Sequence, residues 1–163
     1  MDSGFRRNDG EDRAAEFDRI MRMKVLFICT GNVCRSPAAE KLLKLYGGAA
    51  GFKARSRGLG VQPGYGLHKK MAALLKAEGV TDLAHKGSLV TEPDVDWADL
   101  VLVMEEAQLD ALGELFPQSL RKTELLLGSA DLPDPMGKDD KVFKEVFGKI
   151  KEAVKKLAEG DKN

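Results

Sequence analysis

The chain has 163 residues, 43% of them apolar, which is enough for one domain around a single core. Its 26 basic and 26 acidic residues cancel, which removes the electrostatic case for nucleic acid or an acidic membrane surface as a partner, and no apolar run approaches the length of a membrane span. Only two cysteines, Cys29 and Cys34, and no apolar stretch of a secretory leader in residues 1–22 give the expectation of a reducing, cytoplasmic setting.

Residues 1–22 carry five of the nine arginines and none of the seventeen lysines, without sustained apolar periodicity. They read as a disordered extension or a mis-assigned start, with the domain running over 23–160. The β-branched and aromatic run 25–28 predicts a buried parallel strand. Ser36-Pro37 then starts a helix over about 37–46. Gly47-Gly48 breaks it, and 52–56 reads as a second strand. A glycine-rich loop, 58–66, leads to a helix over about 67–78 that Gly79 ends. Residues 99–104 form the clearest remaining strand, 105–116 a helix stopped by Pro117, and 124–127 a fourth strand ended by Gly128. The last helix, 140–159, repeats Phe143, Val146, Phe147, Ile150, Val154 and Leu157 at helical spacing, with lysines on its outer face. Strands alternating with helices predict an α/β fold, a three-layer α/β/α sandwich around a four-stranded parallel sheet, with ligands at the carboxyl ends of the strands.

The segment Cys29-Thr30-Gly31-Asn32-Val33-Cys34-Arg35-Ser36-Pro37-Ala38-Ala39-Glu40 lies at such an end. A turn from a strand into a helix N-terminus points backbone N–H groups inward, and the helix dipole adds positive charge there, so Thr30, Gly31, Asn32, Val33, Cys34, Arg35 and Ser36 read as an anion-binding loop. Arg35, six positions after Cys29, has a planar fork that holds two oxygens of a tetrahedral oxyanion. The same field favours the thiolate of Cys29, which makes it a nucleophile, and Ser36 is placed to donate one more hydrogen bond to it. Gly31 and Asn32 are the residues that accept left-handed backbone in such a turn.

Transfer of a phosphoryl group off an alkoxide or phenoxide is faster when an acid protonates the leaving oxygen. Asp131-Leu132-Pro133-Asp134-Pro135-Met136-Gly137 follows the fourth strand and holds Asp134 between two prolines. It reads either as a stiffened acid-bearing loop or as an ordinary proline-rich turn.

In these two segments, in their order and spacing, the chain resembles the low-molecular-weight protein-tyrosine phosphatases. The similarity runs from Met23 to about Leu157 and takes in Ser56-Arg57-Gly58, His85, Val103-Met104-Glu105 and Glu124-Leu125-Leu126-Leu127-Gly128-Ser129. It implies that Cys29 attacks phosphorus and forms a phosphocysteine, that Arg35 and the loop amides hold the equatorial oxygens, and that Asp134 protonates the leaving group and then activates water. No metal or organic cofactor is implied, and the partner is a phosphorylated protein. Asn32, Ser36, Ser56 and His85 match family positions that brace the loop by hydrogen bonds, though His85 also reads as a satisfied histidine at a corner. Cys34 matches a second family cysteine that can pair with the nucleophile, and equally reads as buried packing. A zinc site from Cys29, Cys34, His68 and His85 is disfavoured, because ligation consumes the thiolate.

An aromatic residue usually follows the Asp-Pro pair in the tyrosine-specific members, whereas Met136-Gly137 follows here, and Leu59 and Val61 stand where an aromatic wall is common, with Tyr65 further on. A sister branch that acts on phosphoarginine has a similar short loop but carries threonine where this chain has Val33, so the expectation tilts to phosphotyrosine or aryl phosphates, with phosphoarginine as the alternative. A related arsenate reductase needs two further cysteines downstream, and none follows Cys34. A non-catalytic phosphate-binding protein has no use for Cys29, Arg35 and Asp134 together. Oligomeric state is not legible in the sequence.

Overall fold

The computed structural model describes residues 10–16, 18 and 22–160. Four parallel strands, β1 (Lys24–Cys29), β2 (Lys53–Gly58), β3 (Leu100–Val103) and β4 (Thr123–Leu125), form one sheet in the order β2-β1-β3-β4. The helices are α1 (Arg35–Gly47), α2 (Lys69–Glu78), α3 (Glu92–Trp97), α4 (Glu106–Leu115) and α5 (Asp140–Ala158), with 3₁₀ turns at Gly48–Ala50 and Pro117–Lys122.

Alternation along the central strands divides the core in two. Val25, Phe27 and Cys29 of β1, with Leu100 and Leu102 of β3, face a layer made by α1, α2 and α5, which contributes Leu42, Leu43, Met71, Leu75, Phe143 and Ile150. Leu26 and Ile28, with Val101 and Val103, face the opposite way onto Val95 of α3 and Leu112 of α4. Because β1 is covered on both faces, its sequence is a continuous apolar run, and its carboxyl end delivers Cys29 into the α1 side. The α/β sandwich with a four-stranded parallel sheet therefore stands as expected from the sequence.

Three elements were not foreseen. Helix α3 starts in a capping box, in which the Thr91 hydroxyl accepts from the Asp94 amide and Asp94 accepts from the Thr91 amide. The other two are the short 3₁₀ turns. β4 is shorter than the predicted 124–127: Leu126 makes one further bond to Val103, and the chain turns at Gly128, φ 83°. α2 begins two residues later than predicted, with His68 as its N-cap; the His68 ring accepts from the Lys70 amide and stacks on Phe143, at 4.7 Å between centroids. The expected disordered extension over 1–22 falls for the most part outside the described residues; of the part that is described, 10–16 and 18 are helical and exposed and 22 lies in an exposed turn.

Candidate active site

The loop between β1 and α1 is wound around the sulfur of Cys29. The Asn32 amide donates to Cys29 Sγ at 3.3 Å, and Ser36 Oγ lies 2.9 Å from the same atom. Asn32 sits at φ 55°, the only non-glycine residue with positive φ among the described residues, and it is fully buried. Three bonds fix its position: the Ser88 amide donates to its Oδ1 (3.0 Å), its Nδ2 donates to Ser36 Oγ (2.8 Å), and its carbonyl accepts from His85 Nε2 (2.7 Å). Since Oδ1 accepts from the Ser88 N–H, Nδ2 faces Ser36 and donates to it, and Ser36 keeps its own proton, which a thiolate at Cys29 would accept. The Asn32 amide, which can only donate, is the bond whose direction toward the sulfur is fixed.

Helix α1 begins at Arg35 with no side-chain cap and no acidic residue in its first turn, so its N-terminal amides and dipole are open to an anion beside Cys29. Arg35 is buried. Its Nη1 donates to Glu105 Oε2 (2.5 Å) and to the Leu132 carbonyl (2.7 Å), and its Nη2 lies 3.9 Å from Asp134 Oδ2. Two anchors on one nitrogen hold the guanidinium plane in place without consuming the other edge. The acid-bearing loop is tied to the same point, because the Leu132 amide donates to the Met104 carbonyl. Asp134 is half exposed, and its Oδ1 accepts from the Met136 amide at 3.1 Å, a local turn that orients the carboxylate.

These residues line one pocket of about 370 Å³: Cys29 to Arg35 form its floor, and Gly60, Gln62, Tyr65, Asp134 and Met136 its walls. Tyr65 and Met136 are exposed at the rim, whereas Leu59 packs on the α3–α4 side of the sheet. The aromatic wall therefore comes from Tyr65, beyond the position where sequence comparison placed it. Its loop approaches the phosphate loop closely: the Gly60 amide donates to the Thr30 carbonyl (2.9 Å) and the His68 amide to the Val33 carbonyl (2.9 Å).

Ser36 is fully buried and does not line the pocket, but it stands 2.9 Å from the sulfur and accepts from Asn32, the bracing contacts expected of it. Ser56 does not touch the loop: alternation along β2 turns it toward α1, where its hydroxyl donates to Glu40 Oε1 at 2.6 Å. Two residues carry supporting roles that the sequence reading did not assign, Gln108 and Glu105, the latter within a matched segment. Gln108 accepts the Met104 and Glu105 amides and donates to Thr30 Oγ1 (3.1 Å), so α4 also braces the loop, and Glu105 anchors Arg35. Their signal was the spacing Glu105-x-x-Gln108, a capping box at the start of α4. Cys34 is buried and, like Cys29, a free thiol; burial, with Cys29 and Asp134 nearby and Arg35 opposing, pushes it up to about 12, so it stays protonated at neutral pH.

The family model for low molecular weight phosphotyrosine protein phosphatase matches residues 24–162. The chain belongs to that family. It is therefore a hydrolase of the protein phosphatase class. Among curated relatives, a protein-arginine-phosphatase of Geobacillus stearothermophilus is 33% identical over 85% of this chain and 96% of its own length. The low molecular weight protein-tyrosine-phosphatase Wzb of Salmonella typhi is 31% identical over 83% and 92%. The solved low molecular weight protein tyrosine phosphatase of T. tengcongensis superposes with a TM-score of 0.79 at 32% identity, covering 85% of this chain and 99% of that one.

Proposed function

We propose that the protein hydrolyses phosphotyrosine in proteins, with Cys29 as nucleophile and a phosphocysteine intermediate. The observation that carries this reading is the convergence in one pocket of Cys29, whose Sγ accepts from the Asn32 amide at 3.3 Å, with the buried Arg35 and the carboxylate of Asp134, a set that a loop holding only an anion does not need. The substrate phosphate sits on the loop amides and the α1 N-terminus, with the free edge of Arg35 on two equatorial oxygens. The Cys29 thiolate attacks phosphorus in line; the S–P bond forms as the P–O bond to the tyrosyl oxygen breaks, and Asp134 gives that oxygen its proton. Asp134, now a carboxylate, takes a proton from water as the water oxygen attacks phosphorus, which releases inorganic phosphate and regenerates the thiolate. No metal or cofactor is used.

Tyr65 and Met136 supply the walls for the ring of the substrate, and Val33 lines the same pocket without a hydroxyl to offer a guanidinium. The 33% identity to a protein-arginine-phosphatase supports phosphoarginine as the second reading. We further propose that 23–160 is the catalytic unit and that it works in the cytoplasm; among the described residues no helix is long and apolar enough to cross a membrane. Rapid acid quench during turnover of an aryl phosphate, followed by mass analysis, should find a phosphate adduct on Cys29. An adduct elsewhere would refute the nucleophile assignment.

A further inference from the structure

Lys41, six residues beyond Arg35 on α1, is 8% exposed, and among the described residues it forms no ion pair. Its Nζ donates to the carbonyls of Asp82 and Ala84, each at 2.8 Å. A buried ammonium ion is costly unless its donors are met, so both sides of this contact are fixed by it. Residues 80–88 have no regular secondary structure, and their backbone groups must find partners elsewhere. One end of the segment is held by Lys41, and the other by the Gly58 amide on the Ser88 carbonyl (2.9 Å) and the Gly87 amide on the Tyr65 carbonyl (3.2 Å). Between these anchors lies His85, and at the second stands Ser88, the two residues that grip Asn32.

We propose that Lys41 is a positioning residue for the phosphate loop: by pinning the carbonyls of Asp82 and Ala84 it sets the reach of His85 and Ser88 to Asn32, and through Asn32 and Ser36 the place of Cys29 Sγ. This rests on the reading of the Cys29–Ser36 loop as the phosphate site. Among the described residues the lysine has no other role on α1: the next lysine of the helix, Lys44, is exposed and pairs with Glu40, whereas Lys41 is buried and spends its donors on the two carbonyls alone.

The test is a double-mutant cycle of Lys41→Met, which keeps the stem and removes the donors, with His85→Ala. The readouts are kcat/KM on an aryl phosphate, the inhibition constant of inorganic phosphate, and phosphate protection of Cys29 against iodoacetamide. Lys41→Met should lower kcat/KM roughly tenfold and weaken phosphate several-fold, because sub-ångström displacement of a reacting group is expensive. In the His85→Ala background the same substitution should cost at least threefold less, beyond the scatter of independent sites. Additive effects, or a lowered melting temperature with phosphate affinity unchanged, would overturn the proposal. If Lys41→Met does not fold, Lys41→Gln, whose shorter, uncharged amide cannot span to both carbonyls, carries the same cycle with the same expected losses. Failure of phosphate to protect Cys29 in the unmodified protein would overturn the site reading and this inference together; protection that is equal in parent and variant overturns this inference alone.

Discussion

Gly58 closes β2 against the phosphate loop, and adding one methyl there should cripple the site while leaving the fold in place. A Cβ at this position would stand 2.6 Å from Val61 Cγ2, 2.7 Å from the Thr30 carbonyl oxygen and 2.9 Å from Asn32 Cβ. The valine can rotate away. The other two contacts belong to the loop itself, and to reach the 3.4 Å of ordinary contact they must retreat by roughly 0.7 and 0.5 Å. Asn32 cannot absorb this freely, because its φ of 55° and three hydrogen bonds already determine its position. Gly58→Ala should therefore cost about 1–3 kcal/mol of stability by overpacking. For a chain of this size that lowers the melting temperature by roughly 2–12 °C. A loop shift of this order should reduce kcat/KM by roughly ten- to a hundredfold. The assay is steady-state hydrolysis of an aryl phosphate with inorganic phosphate as competitive inhibitor, alongside thermal unfolding. If the phosphate inhibition constant and kcat stay at parent values while the melting point falls, the loop is not held by Gly58 in the way described here.

Asp134→Asn should slow turnover of esters with poor leaving groups far more than of esters with good ones, by roughly 10²–10⁴-fold at the poor end; equal slowing across a leaving-group series would refute the acid role. Tyr65→Ala should raise KM for phosphotyrosine peptides roughly three- to tenfold, with little change for a small alkyl phosphate, as loss of about 0.5–1.5 kcal/mol of ring contact predicts; an equal effect on both would remove Tyr65 from the substrate wall. Burial raises the Asp94 carboxyl, but the hydrogen bonds from Thr91 and the cation of Arg57 outweigh it, and the net shift is downward. A lowered folded value means that Asp94 stabilises the fold above the ordinary carboxylate range and loses that contribution as pH falls through its folded value. Denaturant midpoints should therefore show Asp94→Asn well below the parent at pH 7, with the gap closing below about pH 4; a gap that stays constant into strong acid would contradict the assignment.

The sequence carried the parts of this molecule that depend on periodicity and on short spacing. β1 was legible because a strand covered on both faces must be apolar throughout, and α5 because one apolar stripe repeats over five turns. Cys29, Arg35 and Asp134 come together because all three lie at strand carboxyl ends, a property of the topology that alternation of elements already implies. What escaped were contacts made across the fold. Lys41 is indistinguishable in sequence from a surface lysine, since only the docking of 80–88 on α1 buries it. Ser56 was misplaced by one step, because a strand residue that faces a helix can serve the loop only through that helix. Tyr65 reaches the pocket from a loop whose course is fixed by bonds to Thr30, Val33 and Gly87, none of which has a local signature.

The central claim is tested most directly by incubating the purified protein with a phosphotyrosine peptide and a phosphoarginine peptide side by side, with EDTA present and Cys29→Ser as the blank. Phosphate should be released from both or from phosphotyrosine alone, faster from phosphotyrosine, with none above background in the Cys29→Ser protein. Faster release from phosphoarginine would move the substrate assignment to the second reading, and turnover that survives Cys29→Ser, or no turnover of either peptide by the unmodified protein, would contradict the thiolate mechanism.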